Sequence, residues 1–334
     1  MEDDRAGRCG LTIHPLDGPS TTVVGGPGPE CAVPVAELAP GTRYAYVPTA
    51  DGRALGAESV FHTDDPRAPF TFLVIGDSGS GDAPQLAVRD RMLATPADFV
   101  LHTGGMVYES GRAEDLDPRF FMPYADLMRR LVLWPCLGNH DTRTHGGQPW
   151  RDAFYMPANN PAGSENYYSF DYGDAHVVVL DSNERAGPGS PQHAFLDHDL
   201  ATTTATWKIV VFHHTIYSSS AKHGSNLVLR AALVPVLDAH RVDVVFMGHD
   251  HDYERTRPLR GDREVASGEG TVYVTTGGGG DTTYEVGRSD FTAYSESVHH
   301  LTRVAVDEGT LTESMIRTDG SIGDSFTVVK GGTP

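Results

Sequence analysis

The chain has 334 residues, 39% of them hydrophobic, which is enough for one large packed domain and a small one. Its 26 Lys and Arg stand against 45 Asp and Glu, a net charge of −19, which disfavours nucleic acid, anionic membranes and other polyanions held by counterion release. An anionic substrate therefore needs a local positive centre, and bound metal ions are the most direct way to supply one in an acidic protein.

The opening Met1-Glu2-Asp3-Asp4 has neither the basic nor the apolar segment of a signal peptide. No run of about 18 apolar residues reads as a membrane span. Residues 1–65 carry short β-type runs separated by Gly and Pro, with no helical period. In Leu38-Ala-Pro-Gly-Thr-Arg-Tyr44-Ala-Tyr46-Val, two tyrosines share one strand face just after a Pro-Gly turn. That resembles the tyrosine corner of a fibronectin type III-like sandwich, shortened against the usual length of about 100 residues. Cys9 and Cys31 could pair in an exported protein, whereas Cys136, in an apolar run, reads as a buried thiol. The polar, proline-bearing segment His62-Thr-Asp-Asp-Pro-Arg-Ala-Pro69 reads as a linker, so the expected units are 1–65 and 66–334.

From Phe70 onward, apolar β-rich runs alternate with helical stretches, the pattern of a layered α/β fold. The expected strands are Thr71–Gly76, Asp98–Thr103, Leu131–Leu137, His176–Leu180, Lys208–Phe212, Val242–Met247 and Thr271–Thr275. The expected helices are Pro84–Ala94, Pro118–Leu131, His193–Ala201 and Leu227–His240.

Five of these strands end in residues that bind metals or move protons: Gly76-Asp77-Ser78-Gly79, Gly104-Gly105-Met106-Val107-Tyr108, Gly138-Asn139-His140-Asp141, Val211-Phe212-His213-His214 and Gly248-His249-Asp250-His251. Ligands of open α/β sheets bind beyond the carboxyl ends of the strands, so the five tips should meet in one crevice. Carboxylate, phenolate, amide and imidazole donors without thiolates suit iron, zinc or manganese rather than a structural zinc cage. Taken singly, Gly-Asp is usually a turn and a His pair usually packing; it is their joint order at strand ends that carries weight. Because alternate strand residues point to opposite sides, His249 and His251 reach one site only where the strand breaks, which Gly248 permits.

This order resembles the five-block signature of purple acid phosphatases in the calcineurin-like metallophosphoesterase superfamily: an Asp, Gly-Asp-x-x-Tyr, Gly-Asn-His-Glu or Asp, Val-x-x-His and Gly-His-x-His. Glu165-Asn-Tyr-Tyr-Ser-Phe-Asp171, Leu180-Asp-Ser182 and the run Gly277–Gly280 also fit, and Tyr108 points to the purple branch. The resemblance implies a four-layer α/β/β/α metallophosphoesterase sandwich preceded by an accessory β domain. It implies a first metal, iron, on Asp77, Tyr108 and His251, and a second metal, iron, zinc or manganese, on Asn139, His213 and His249. His140 would contact the phosphate or protonate the leaving alcohol, with Asp141 orienting its ring. A small phosphate ester is the expected partner and a secreted or periplasmic location the expected setting, with a cytoplasmic one left open.

One position departs. Where the family has a carboxylate bridging both ions, this chain has Gly105. Glu109 follows the tyrosine and would need the backbone to double back to replace it. A weak second site and impaired activity are expected; either the chain is an inactive variant or it works with a bridge taken from solvent. Phosphate mono- or diester hydrolysis is the leading reading, retention of the other ligands and His140 favouring it over a catalytically silent binding module. Phosphotriesters or nucleotides are the alternative substrates. His223, in the Tyr217–Asn226 segment, reads as a surface residue or a substrate contact.

Overall fold

The computed structural model describes residues 8–27, 32–66 and 68–330. The chain divides into two compact units, Met1–Ala68 with Asp126–Leu131, and Pro69–Ala125 with Val132–Pro334. In the first, the described strands form one antiparallel sheet in the order Thr21–Pro27, Arg8–Pro15, Arg43–Ala50, Arg53–Ala54, with Ser59–His62 also paired to Arg43–Ala50. Alternate residues of a strand share a face, so the Tyr44 and Tyr46 rings both pack on Phe61, each at 5.8 Å. The buried Tyr44 hydroxyl accepts the Ala39 N–H at 2.9 Å, a bond back to the preceding turn. The expected Cys9–Cys31 pair involves Cys31, which lies outside the described residues, and Cys136 is a buried free thiol.

In the second unit two sheets face each other. One has the order Ile322–Val329, Thr310–Arg317, His300–Asp307, Phe70–Ile75, Phe99–His102, Val132–Pro135. The other has the order Thr292–Glu296, Tyr253–Thr256, Val272–Thr276, Val244–Met247, Trp207–Val211, Ala175–Val179, Tyr168–Tyr172. Phe70–Ile75, Phe99–His102 and Val132–Pro135 run parallel, as do the four central strands of the second sheet. Parallel strands buried on both sides use both sets of alternating side chains. Val177, Ile209, Val244 and Val274 meet Phe72 and Phe99 between the sheets. Their neighbours Val178, Val210, Val245 and Tyr273 pack outward on Leu196 and Leu233, from the helices Pro191–Thr202 and Leu227–Ala239. The helix Ala83–Leu93 lies against the first sheet beside His300–Asp307 and buries Val88 and Met92. The layers are therefore α/β/β/α.

The seven expected strands occur within about two residues of their expected ends, the usual uncertainty of element boundaries. The helix expected over Pro118–Leu131 is different: a π-helical turn, Asp117–Phe121, leads into Met122–Met128, and the Leu127 carbonyl closes the last turn onto the N–H groups of Arg130 and Leu131. Tyr253–Thr256 and the C-terminal strands from His300 to Val329 are core elements with a polar sequence. The fully buried Glu313 is answered by the Tyr253 hydroxyl at 3.1 and 3.2 Å, and burial and the nearby Asp324 push its carboxyl well above the usual range, toward the neutral acid that such a position tolerates.

Phe72 has no solvent exposure and stacks on Phe99 at 4.9 Å and 10°, edge-on to Phe246 across the sheet interface. Phe72→Ala is expected to destabilise the second unit by about 3–5 kcal/mol in urea titrations, while Ile322→Ala, on an exposed edge, should stay within about 0.5 kcal/mol.

Candidate metal centre

The parallel strands bring their carboxyl ends together, and backbone hydrogen bonds carry the pairing beyond the strands into the loops. Gly104 O accepts the Asp77 N–H at 2.8 Å, Gly105 O that of Ser78 at 3.0 Å, and His213 O that of Gly248 at 3.0 Å. Asp77 and His249 have φ of +56° and +69°, a left-handed backbone that costs non-glycine residues energy and that folds retain chiefly at functional sites. The break that lets His249 and His251 face one site is thus at His249 itself. Gly248 has a different role from the one expected: a Cβ there would lie 2.5 Å from Asp77 Oδ2 and 2.6 Å from Thr103 Oγ1. Glycine is required by close approach, and His249 N–H uses that approach to donate to Asp77 Oδ2 at 2.8 Å.

Two donor sets result. In the first, Tyr108 Oη lies 2.8 Å from Asp77 Oδ1 and 3.0 Å from His251 Nε2, and the carboxylate and imidazole are 3.5 Å apart. In the second, His213 Nε2 lies 2.9 Å from Asn139 Oδ1, and the His249 ring is 5.1 Å from the His213 ring. His213 Nε2 and Asp77 Oδ1, 3.9 Å apart, join the two sets. Burial alone would raise the Asp77 carboxyl; His213, His251 and the Tyr108 hydroxyl overcome it and hold it below the usual carboxylate range. Burial and the Asp77 charge push the Tyr108 hydroxyl far up, so by itself it remains a protonated donor to Asp77. Burial, then the neighbouring imidazoles of His213, His214 and His223, keep His249 neutral and competent as a ligand.

Oxygen and neutral nitrogen donors without sulfur fit iron, zinc or manganese. Among the described residues, no three His, Cys, Asp or Glu side chains alone make a metal-holding group; each set here is completed by a phenol or an amide. Neighbouring carbonyls fix the rings of two of these histidines, as such partners do at metal sites: His213 Nδ1 is 2.8 Å from Thr103 O and His251 Nδ1 is 2.8 Å from Thr282 O. The Tyr284 ring stacks on His251 at 4.1 Å and 13°. None of these three supports was legible in the chain, because carbonyl contacts and stacking across distant loops leave no local pattern.

His140 stands beside Tyr108, ring centres 4.4 Å apart. Its Nδ1 bonds Glu109 O at 2.8 Å, so Glu109's backbone, rather than Asp141, orients the ring. The expected role of Asp141 is corrected accordingly. Its buried carboxylate accepts the N–H groups of Gly105 and Met106 at 2.9 Å, Val107 at 3.2 Å and Gly138 at 2.8 Å, fastening the Tyr108 loop to the Asn139 loop. Burial pushes its pKa up to about 6 in spite of those donors. Glu109 turns its carboxylate to solvent, 3.8 Å from His140 and Arg143, and Asp115 pairs with Arg119. Neither reaches Asp77 as a substitute for the carboxylate absent at Gly105. Gly105 has φ +71°, and a Cβ built on it would point at the donors, 2.5 Å from Asp77 Oδ1 and 2.9 Å from Tyr108 Oη. The position faces the site as expected. A side chain there, however, requires Asp77 and Tyr108 to shift.

The family model for calcineurin-like phosphoesterases matches residues 70–253, the span that holds both donor sets. A nucleotide pyrophosphatase/phosphodiesterase of Hordeum vulgare is 29% identical over 69% of this chain and 72% of its own length. Purple acid phosphatase 21 of Arabidopsis thaliana is 31% identical over 75% of this chain and 58% of its own. The probable inactive purple acid phosphatase 24 of the same plant is 30% identical over 62% and 40%. The chain thus spans about half the length of these two Arabidopsis relatives. The structure of purple acid phosphatase PPD1 from yellow lupin (Lupinus luteus) seeds superposes with a TM-score of 0.88 at 19% identity, covering 98% of this chain and 70% of that one. This chain belongs to the calcineurin-like phosphoesterase family, and its fold is that of a purple acid phosphatase.

Proposed function

We propose that the chain is a two-metal phosphoesterase of the purple acid phosphatase type, hydrolysing small phosphate esters at a centre weakened by Gly105. The observation that carries this reading is the convergence of Asp77, Tyr108 and His251 within 3.5 Å of one another, beside the Asn139–His213 pair at 2.9 Å. Asp77, Tyr108 and His251 would hold the first metal, iron, and Asn139, His213 and His249 the second, iron, zinc or manganese. When bound, such ions supply the positive charge a phosphate needs in a chain of net charge −19, and they acidify water. His140, with Nδ1 committed to Glu109 O, has Nε2 left for a phosphate oxygen or for proton exchange with the leaving alcohol. Asp141 holds the backbone that carries Tyr108. The N-terminal sheet would be an accessory fibronectin type III-like domain, and the setting an exported one.

Gly105 favours a second reading, a silent metal-binding module. The name of one relative, a probable inactive purple acid phosphatase, has the same sense for that protein. Nucleotide diesters are a further substrate class, in keeping with the name of the barley relative.

His213→Ala and His249→Ala are each expected to remove the second metal while leaving the first and the circular dichroism spectrum unchanged, since a core of this size does not depend on the ions. Metal stoichiometry by mass spectrometry reads the result, and two ions retained in either variant contradict the ligand set. Asp141→Ala should release both loops, lowering the content of both metals and stability by about 1–3 kcal/mol; a side chain that only aimed His140 would leave metal content intact.

Gly105→Asp distinguishes the enzyme from the silent module. The left-handed backbone there costs an L-residue about 1–2 kcal/mol, so the metal-free variant should be less stable. With metals bound, Asp77 and Tyr108 would be ligands rather than partners of each other, and the carboxylate introduced at position 105 would supply the anion the site lacks. Hydrolysis of p-nitrophenyl phosphate should rise at least about tenfold, and Gly105→Asn should give no such gain. Two metals bound by the Asp variant with no faster hydrolysis would favour the binding module.

A further inference from the structure

His176 is the second residue of the strand Ala175–Val179, at the end of the second sheet away from the loops that carry the proposed metal donors. We propose that His176 is a proton-operated clasp: as an imidazolium it ties the C-terminal turn of the helix Pro191–Thr202 to the edge of the sheet, and loss of one proton as the pH rises releases that turn. The clasp uses none of the proposed ligands and does not depend on them.

It follows from counting protons. His176 Nδ1 lies 2.7 Å from Asp171 Oδ1, and Nε2 lies 2.9 Å from Asp199 Oδ2. A neutral imidazole has one N–H and one lone pair, and an ionised carboxylate can only accept. Whichever nitrogen were bare would therefore set its lone pair against an anion. The three groups together hold one proton more than a neutral ring and two carboxylates, and the imidazolium is the form that donates at both ends. Burial alone would lower the His176 pKa; Asp199 and Asp171 overcome it and raise it above the ordinary imidazole value.

The partners come from separate elements. Asp171 stands directly opposite His176 in the antiparallel pairing of Tyr168–Tyr172 with Ala175–Val179, and its side chain is 74% exposed, so solvent screens much of its charge. Asp199, in the last turn of the helix, is 20% exposed and is the stronger partner. A cation here also faces the negative end of the helix, where positive charge is favoured. Two further charged groups lie close by. Asp174, between the two strands, accepts the Thr206 N–H at 3.1 Å, and Lys208, beside His176 in the parallel pairing, donates its ammonium to Leu200 O at 2.9 Å. Three carboxylates thus stand against one ammonium, a balance that favours a charged ring. A pocket of about 470 Å3, lined by Asp171, Asp174, His176, Asp199 and residues 202–205, brings water to the clasp.

The other end of the helix is held without a titrating group. Gln192 Oε1 accepts the Asp181 N–H at 2.6 Å, and its amide donates to Asp181 O at 3.0 Å. Release should therefore begin at the C-terminal turn. Because the folded value is raised, the clasp contributes its full stability below about pH 6.5 and loses it as the pH rises through the folded value.

Nuclear magnetic resonance on the full chain with 15N-labelled histidine tests this directly. At about pH 5.5 both His176 ring nitrogens should carry protons, and the titration midpoint should lie above about 6.5. Asp199→Asn should lower that midpoint, and Asp171→Asn should lower it less. Hydrogen exchange at residues 200–203, corrected for its intrinsic base dependence, should rise at least about tenfold between about pH 5.5 and about pH 8.5, the equivalent of one pKa unit. Residues 194–196 should stay protected, and His176→Gln, which has no proton to lose, should show no such rise. A single ring proton on His176 at the acid end, a midpoint unmoved by Asp199→Asn, or an equal rise in His176→Gln would each overturn the clasp. The midpoint in Asp199→Asn is read whether or not His176→Gln folds.

Discussion

Asp141 is a buried anion whose two oxygens accept four backbone N–H groups, three from residues 105–107 and one from Gly138. An unpaired carboxylate at that depth would cost several kcal/mol, and the four donors offset much of that cost, though burial still holds the group near pH 6. The contacts join the loop after Phe99–His102 to the loop after Val132–Pro135, and so set the distance between Tyr108 and Asn139, one donor from each proposed metal set. Neither loop has regular structure to hold it otherwise. His102 reinforces the arrangement from beneath, with Nε2 at 2.9 Å from Ser78 Oγ and the Gly104 N–H donating to Nδ1 at 3.1 Å, which ties the Asp77 loop to the same frame.

Around this frame the histidines share one arrangement. His140, His213, His214 and His251 each bind an oxygen through Nδ1, three of them a backbone carbonyl and His214 the Ser182 hydroxyl. A carbonyl oxygen can only accept, so His140, His213 and His251 carry the proton on Nδ1 when neutral, and in His213 and His251 Nε2 is the nitrogen turned to Asn139 and Tyr108. Strain follows the same geography, since the left-handed Asp77 and His249 are held at the point where strands of the two sheets end.

In the proposed centre Gly105 would act through electrostatics as well as through shape. Two cations a few ångströms apart repel each other, and a shared carboxylate offsets that repulsion while holding both. Without it, Asp77 is the one carboxylate among the proposed donors, bonded to Tyr108 and to the His249 N–H. On that proposal the first set would keep its anionic ligand and the second would rely on neutral groups. A centre of this kind has unequal sites, with the weaker one more dependent on the number of its nitrogen donors.

Much of the protein was legible in the chain. Apolar runs marked the parallel strands, because strands buried on both faces need continuous hydrophobic sequence, and each proposed ligand stood within a few residues of a strand end. Polar core strands were not legible: the expected strands stop at Thr275, and Glu313 and Arg255 sit in later or intervening strands whose charged side chains are answered by Tyr253 and Asp324 only in the fold. Nor were the true roles of Asp141 and Gly248, since both depend on atoms brought close by the fold from loops far apart in sequence. Local sequence determined which side chains stand at the strand ends, because the period of the backbone puts them there. Only the tertiary structure decided which carbonyls orient His140, His213 and His251 and how Asp141 is used, because those are properties of contacts between loops that packing of the two sheets brings together.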